Sequence, residues 1–197
     1  IDLEDRFREE GKQTLVVPGN HDSAVLDNLP IHSGTLHQQG KDIWGLHQEL
    51  KQDPVALNYL SRLLGEETNG KEIILGKDCP TYVVHGGLGG SLASHPRCPE
   101  KWQDLWFRID YGGFDYPSNF VKMGELGYKI LLRGHDHHRM YGFEVEEGKS
   151  GSVPVSKGGK FGLVESDKHV ITSGAWFEGD YLIIDDSDNK LTLDFRN

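Results

Sequence analysis

Three scarcities in this sequence each exclude a class of protein. Only two of its 197 residues are cysteines, Cys79 and Cys98, and they form no C-x-x-C pair. A disulfide scaffold is therefore excluded, and two reduced thiols favour a cytoplasmic location. No apolar run is long enough to cross a bilayer, so no membrane partner is expected. Lysine and arginine number 21 against 31 acidic residues, a formal net charge of -10, which disfavours a nucleic-acid backbone as the main partner.

The chain also lacks an initiating methionine and a signal peptide, because it begins Ile1-Asp2-Leu3. We therefore expect a further segment to precede Ile1. The length suits one core, and the sequence has no repeat, low-complexity stretch or linker. Residues 1–197 are thus predicted to form a single, N-terminally incomplete domain.

Hydrophobic periodicity predicts an α/β fold. One helix is expected to begin after the N-cap Asp53 and to end at Gly65, and another to begin at the N-cap Ser118. Other short helices are expected at 2–10 and 102–108. Strands are expected at 14–17, 72–75, 81–84 and 129–133, of which 14–17, 81–84 and 129–133 are read as buried. Five short strands follow, interpreted as an antiparallel meander that forms a second layer, at 141–146, 161–164, 170–173, 181–185 and 191–195.

Three of these strands end in loops that contain histidine. Asn20-His21 follows the first, His85 follows 81–84, and His135 and His137 follow 129–133. A single histidine at a strand end is more often a satisfied polar residue than a ligand. Parallel strands, however, bring their carboxyl-terminal loops to the same edge of a sheet. Imidazole and amide oxygen are suitable ligands for zinc, manganese or iron, so the joint placement indicates a metal site.

These loops resemble three blocks of the calcineurin-like metallophosphoesterases, in the family's order. Gly19-Asn20-His21-Asp22 resembles G-N-H-[DE], His85-Gly86-Gly87-Leu88 resembles the lone-histidine block, and Gly134-His135-Asp136-His137 resembles G-H-x-H. The resemblance implies a two-layer β-sandwich, a mixed sheet plus an antiparallel meander, flanked by helices. It also implies that the family's N-terminal strand–helix unit is absent from this sequence.

The resemblance further implies roles for individual residues. Asn20, His85 and His135 would bind one divalent metal ion and His137 a second; manganese, iron and zinc are candidates, with manganese the choice in vitro. His21 would be the general acid, while a metal-bound hydroxide attacks phosphorus in line with the leaving oxygen.

The chain departs from the family pattern upstream of Asn20, where neither D-x-H nor G-D-x-x-D is found. Asp167-Lys168-His169 has the first form in the wrong order, and we interpret it as coincidence. The stretch from Asp2 to Arg6 resembles the second without its glycine, and we interpret it as part of an exposed helix. As given, the sequence is therefore expected to bind a metal pair poorly.

Arg108 ends a segment, Leu105-Trp106-Phe107-Arg108, that resembles one in the phosphoprotein phosphatase and diadenosine tetraphosphatase branch. It is therefore a candidate for substrate binding, with a surface arginine as the alternative. The branch has arginine where Pro18 stands here. The histidines outside the three blocks are interpreted as surface or satisfied side chains: His32, His37, His47, His95, His138 and His169.

The function expected from this resemblance is hydrolysis of a phosphomonoester or phosphoanhydride, with a phosphoprotein or a dinucleoside polyphosphate as substrate. Two alternatives stay open. One is a phosphodiesterase or nuclease. The other is a scaffold that has lost metal ligands and binds proteins.

Overall fold

Helices precede and separate the strands in a computed structural model that describes residues 2–27, 43–65, 69–92, 98–109, 115–147, 149–164, 166–175, 179–186 and 190–196. The helices are α1 (Asp2–Glu9), α2 (Asn20–Asp27), α3 (Ile43–Gln52), α4 (Pro54–Leu64), α5 (Gln103–Trp106) and α6 (Tyr116–Leu126), with a 3-10 turn at Glu100–Trp102 before α5. No helix in the described part of the chain is long and apolar enough to cross a membrane.

Capping explains where two of the helices begin. Asp53 accepts hydrogen bonds from the backbone N–H groups of Val55 and Ala56, which confirms the predicted start of α4. The prediction of Ser118 as the cap of α6 is wrong. Asp115 is the cap and accepts from the backbone N–H of Ser118 at 3.3 Å. The helix begins two residues earlier than predicted because Pro117 is tolerated in a first turn, where no intrahelical N–H is needed.

Nine strands of the described residues form two sheets. They are β1 (Lys71–Leu75), β2 (Cys79–Val83), β3 (Ile130–Arg133), β4 (Arg139–Glu146), β5 (Lys149–Pro154), β6 (Lys160–Gly162), β7 (His169–Ser173), β8 (Tyr181–Asp185) and β9 (Thr192–Arg196). The larger sheet has the order β1-β2-β3-β7-β4-β5, and the smaller has the order β6-β9-β8. β3 pairs in parallel with both β2 and β7, and the remaining pairs are antiparallel.

The structure confirms the predicted fold class, a mixed sheet with a separate antiparallel sheet and flanking helices, but it divides the meander differently. The strands predicted at 141–146 and 170–173 belong to the larger sheet, as β4 and β7. Strand β5 was not predicted, because Lys149–Pro154 is mostly exposed and lacks an apolar stripe. The smaller sheet holds only the other three predicted strands.

The buried strand predicted at 14–17 is wrong. This segment belongs to neither sheet of the described chain, and Leu15 is 47% exposed. An apolar segment forms a strand only if its backbone N–H and C=O groups pair with another strand. Both sides of β2 are already paired, with β1 and with β3.

Side chains of the central strands alternate between two cores. Ile130 and Ile171 face the smaller sheet and pack with Leu193 and Phe195 of β9. Leu131 and Val170 face the helices, where the core is formed with aromatic and aliphatic side chains: Trp102, Leu105, Trp106, Tyr116, Phe120 and Met123. The larger sheet is therefore the middle layer, and its strand ends position the loops described next.

Candidate functional site

Parallel pairing places two of the histidine loops side by side. β2 and β3 are in register from Thr81 opposite Ile130 to Val83 opposite Leu132. Beyond the strands, Gly134 N donates to His85 O at 3.0 Å, so the two loops leave the sheet together. The predicted meeting of these strand ends at one edge is thus confirmed for His85 and His135.

Helix α2 brings Asn20 to the same edge. The turn before it is fixed because Gly19 N donates to the Asp22 carboxylate at 2.7 Å. Ser23 Oγ donates to Asn20 O at 2.8 Å and accepts from Trp106 Nε1 at 3.1 Å, which ties the first turn of α2 to α5. Asn20 is 6% exposed, so its amide points into the protein.

Asn20, His85 and His135 form a contiguous cluster, called here the open cluster. His85 Nε2 lies 2.9 Å from Asn20 Oδ1 and 3.2 Å from His135 Nδ1. Burial is the main cause that lowers the pKa of His85 to about 3, and burial likewise lowers the pKa of His135. Both imidazoles are therefore neutral at neutral pH, the form that can bind a metal ion.

Too few protons are available to satisfy the open cluster by hydrogen bonds. An amide oxygen offers only lone pairs, and two neighbouring ring nitrogens cannot both direct an N–H into one 3.2 Å gap. With the Asn20 amide oxygen facing His85, at most one proton therefore lies among the three atoms. The Nε2 of His135 is also buried without a hydrogen-bond partner among the described residues. Such a cluster suits a cation better than it suits a hydrogen-bonded core.

The separations in the open cluster also fit a divalent metal ion. With metal–ligand bonds of about 2.1 Å, neighbouring ligand atoms lie about 3.0 Å apart in octahedral and about 3.4 Å apart in tetrahedral geometry. The observed 3.2 Å falls in that range, and the observed 2.9 Å lies just below its octahedral end. Within the described ranges, no three His, Cys, Asp or Glu side chains are grouped to hold a metal ion. The candidate ligands are therefore two imidazoles, of His85 and His135, and the amide of Asn20.

His137 lies close to the open cluster but is exposed. Its positive charge, when present, contributes after burial to the lowered pKa values of His21, His85 and His135. Both His135 and His137 have left-handed backbone conformations, with φ of 52° and 61°. A non-glycine residue at such an angle is uncommon, and two within three positions bend the loop sharply. The loop is therefore sharply bent rather than extended.

His21 contacts a histidine that the sequence analysis set aside. Its Nδ1 lies 3.2 Å from Nε2 of His47, and the two rings meet edge to face. His47 projects from α3 and is only 3% exposed, so of the two interpretations given above it is not a surface side chain but a buried one with a polar partner. Burial is the main cause that lowers the pKa of His21 to about 4. The contact spans 26 residues, and no local pattern marks it.

Arg108 is held near the same edge by its backbone and by a buried acid. Its backbone N–H and C=O pair with Ser91 at 3.0 and 2.9 Å. Its Nη1 lies 3.7 Å from Oδ1 of Asp136, the residue between His135 and His137, and its side chain is 27% exposed. The helix predicted at 102–108 ends earlier, at Trp106, and leaves Arg108 extended.

The glycine-rich loop after His85 is a fixed spacer rather than a phosphate cradle. Asn119, which is fully buried, accepts from the N–H groups of Leu88 and Gly89 through its side-chain oxygen. The N–H groups of Gly86 and Gly87 both donate to Asp104 O. A Cβ at Gly86 would lie 2.4 Å from that carbonyl, so only glycine fits there.

A cleft of about 580 Å³ opens beside the histidine loops, between the two sheets. His85, His135 and His137 line it together with apolar side chains of both sheets, among them Leu132 and Leu182. The three histidines therefore lie at one edge of this cleft.

The remaining histidines are distributed elsewhere. His169 lies opposite Ile130, at the other end of the strands from the open cluster. Asp167-Lys168-His169 therefore stays a coincidental match. His138 is exposed beside His137. His32, His37 and His95 lie outside the described residues. The segment at Asp2–Arg6 is part of α1, whose described side chains are largely exposed, as predicted.

Comparison with known proteins gives a likeness of fold. No family model and no curated protein matches the chain. The fold is similar to the solved structure of a metallophosphoesterase from Sphaerobacter thermophilus, with a TM-score of 0.58 over 99% of this chain and 70% of that chain. The two sequences are 20% identical, so the likeness concerns the fold. The chain therefore has the fold of a metallophosphoesterase.

Proposed function

We propose that this protein is a metal-dependent phosphate-ester hydrolase. The observation that carries the proposal is the open cluster, in which Asn20, His85 and His135 direct three lone-pair atoms at one place with too few protons to satisfy them. The likeness of the fold to a metallophosphoesterase supports the same chemistry.

The ligand roles follow from position. Asn20, His85 and His135 would hold one divalent ion, and His137, in the same loop as His135, would contribute to a second. Manganese, iron and zinc all accept imidazole and amide ligands. When bound, such ions supply Lewis-acid stabilisation of phosphoryl charge and acidify water. The pKa values lowered by burial keep the imidazoles neutral, so the ions need not compete with protons.

His21 is the proposed general acid, because it follows the proposed ligand Asn20 directly in the first turn of α2 and its charge acts on His85. In the chain alone His21 is neutral at neutral pH, since burial lowers its pKa to about 4. The negative charge of a phosphate ester beside the ring stabilises the protonated form, so substrate binding loads the acid before proton transfer. His47 holds the other side of the ring.

Arg108 is the proposed substrate-binding residue. A guanidinium can donate two parallel hydrogen bonds to a phosphoryl group, and this one is partly exposed near the cluster. The proposed substrates are phosphomonoesters or phosphoanhydrides, such as a phosphoprotein or a dinucleoside polyphosphate. A formal net charge of -10 supports this choice over a nucleic acid. We also propose a cytoplasmic location, on the basis of the two free cysteines.

One observation favours a second candidate, a protein-binding scaffold without activity. The open cluster contains no carboxylate among the described residues, and a carboxylate shared between two dications is what offsets their mutual repulsion. A scaffold has no need of a histidine at position 21, however, and this half-buried residue favours the enzyme.

A hydrolysis assay with added Mn²⁺ separates these possibilities. The proposal expects release of p-nitrophenol from p-nitrophenyl phosphate that depends on metal and is abolished by a chelator. The release should be slow, because the open cluster contains no carboxylate among the described residues to bridge a metal pair. Faster cleavage of bis-p-nitrophenyl phosphate would instead indicate a phosphodiesterase. Metal binding without turnover of either compound would favour the scaffold.

A further inference from the structure

Two arginines and one aspartate lie together behind the open cluster. Arg133 Nη1 contacts Asp136 Oδ2, and both side chains are almost fully buried. Asp136 Oδ2 also accepts from the backbone N–H of Ile109 at 3.0 Å. Arg108 Nη1 lies 3.7 Å from the second oxygen, Oδ1. We call Arg108, Arg133 and Asp136 the charged triad; its formal charge is positive, because two guanidinium groups face one carboxylate.

Arg133 is the fixed member of the triad. Besides Asp136, it donates to the carbonyl of Gly86, to the carbonyl of Phe107 at 3.2 Å and to Thr172 Oγ1 at 3.2 Å. These partners belong to the His85 loop, the segment before Arg108 and strand β7. A buried guanidinium with its donors engaged in this way cannot turn toward a ligand. It therefore anchors Asp136 in one orientation.

Arg108 differs from Arg133 because it is partly exposed. Its backbone is fixed by Ser91, yet its guanidinium is 27% exposed and forms an ion pair with Asp136 at 3.7 Å through one nitrogen, a distance too long for a hydrogen bond. Its charge reaches the site, since after burial it contributes to the lowered pKa values of His21, His85 and His135. Nη1 of Arg108 therefore faces the Asp136 carboxylate, and the other N–H groups of the guanidinium can donate to an anion.

We propose that Asp136 is a positioning residue, held by Arg133, that orients the Arg108 guanidinium toward the phosphoryl oxygens of the substrate. The inference rests on the proposed function for the identity of the substrate. The inference goes beyond the proposed function because it assigns Asp136, between His135 and His137, a part in substrate binding. An arginine restrained in advance loses less conformational entropy when it binds.

The direction in which Asp136→Asn changes phosphate affinity tests this positioning. Asp136→Asn removes a negative charge near the anion, so electrostatics alone would strengthen phosphate binding. Positioning predicts the opposite, because Arg108 loses its charged anchor. We expect phosphate affinity to fall about fivefold in Asp136→Asn and about tenfold or more in Arg108→Ala. In the double variant we expect the loss of Arg108→Ala alone, because Asp136 acts through Arg108.

Isothermal titration of the full chain with inorganic phosphate, with and without Mn²⁺, gives the affinities. Glu144→Gln is the matched control, because it removes a partly buried carboxylate that pairs with Lys168 at 2.6 Å, away from the triad. It should leave phosphate affinity unchanged. Tighter binding in Asp136→Asn, or losses that multiply in the double variant, would overturn the proposal.

A crystal structure of the unaltered protein with phosphate keeps the test decisive if Asp136→Asn fails to fold. The proposal expects Arg108 to touch both Asp136 and the phosphate. An Arg108 that swings away from Asp136, or a phosphate that binds without Arg108, would contradict it. Phosphate binding and p-nitrophenyl phosphate hydrolysis are measured separately, so a protein that binds phosphate through the triad but hydrolyses nothing refutes the proposed function alone.

Discussion

Two buried histidine clusters lie at opposite ends of the same strands and differ in how completely they are satisfied. In the first, Tyr141 Oη accepts from the Val164 N–H at 3.0 Å and lies 3.0 Å from His169 Nδ1. The hydroxyl proton is therefore free to point at His169, and the contact is a complete hydrogen bond. We call Tyr141 and His169 the sealed cluster. The open cluster of Asn20, His85 and His135 also brings oxygen and ring nitrogen atoms to similar distances, but at most one proton lies among its three facing atoms.

The difference teaches how to separate a structural histidine from a candidate ligand. Both clusters are buried, and burial lowers the pKa of the histidines in both. Burial and pKa therefore do not distinguish them. The count of donors against acceptors does, since a saturated cluster stabilises the fold and an unsaturated one is completed by a cation.

Removal of the acid beside the open cluster should have the largest effect. In His21→Ala we expect turnover of p-nitrophenyl phosphate to fall about 100- to 10,000-fold, because general acid catalysis is lost. The metal content, measured by elemental analysis, should stay near that of the unaltered protein. Unchanged turnover would remove His21 from this role.

Removal of the His85 imidazole, whose Nε2 lies between the other two atoms of the open cluster, should weaken metal binding. In His85→Ala we expect Mn²⁺ affinity to fall about 100-fold, because the shared ligand atom of the cluster is gone. Titration followed by calorimetry measures it. Tyr141→Phe, in the sealed cluster, is the control and should bind the metal normally. Equal metal affinity in all three proteins would erase the distinction between the clusters.

Removal of one atom from the sealed cluster should affect stability alone. Tyr141→Phe leaves the Val164 N–H and the His169 ring without their partner, which should lower the free energy of unfolding by about 1–3 kcal/mol. Urea denaturation at pH 7.5 measures this change. A stability equal to that of the unaltered protein would show that water replaces the hydroxyl.

The smallest expected effect is that of lower pH on the free energy of unfolding, and it acts through His169 of the sealed cluster. Burial lowers the pKa of His169 in the fold, while Asp167 and a hydrogen bond to the Ser166 backbone oppose the shift. Below the unfolded-state pKa of about 6.5, His169 binds a proton in the unfolded chain but stays neutral in the folded chain. The free energy of unfolding therefore falls as the pH falls.

The stability difference between the unaltered protein and His169→Gln isolates this effect, since the other histidines titrate alike in both. From pH 7.5 to 5.5, we expect the stability advantage of the unaltered protein to shrink by about 1 kcal/mol. A constant difference across this range would mean that His169 is protonated equally in both states.

Local patterns predicted the parts of this fold that depend on neighbouring residues. The cap Asp53, the hairpin of β1 and β2 and the strand ends at His85 and His135 all have turn residues or apolar periods within a few positions. Their meeting at one edge followed from parallel pairing. The motif order supplied the candidate ligands.

Contacts between distant residues could not be predicted in this way. The strand expected at 14–17 failed because an apolar run does not specify a partner strand. His47 and Asn119 act through side chains that reach residues 26 and about 30 positions away. The charged triad likewise depends on three segments packing together. Only the folded arrangement brings such groups within hydrogen-bonding distance.

The sequence separations within the open cluster have a consequence for the order of folding. Asn20 and His85 are 65 residues apart, and His85 and His135 are 50 apart. Closing such long loops is entropically costly, so the cluster cannot form until β3 has paired with β2. A metal ion that binds the completed cluster therefore adds its binding free energy to the folded state alone. Metal uptake during refolding should lag behind helix formation and mark the last stage of assembly.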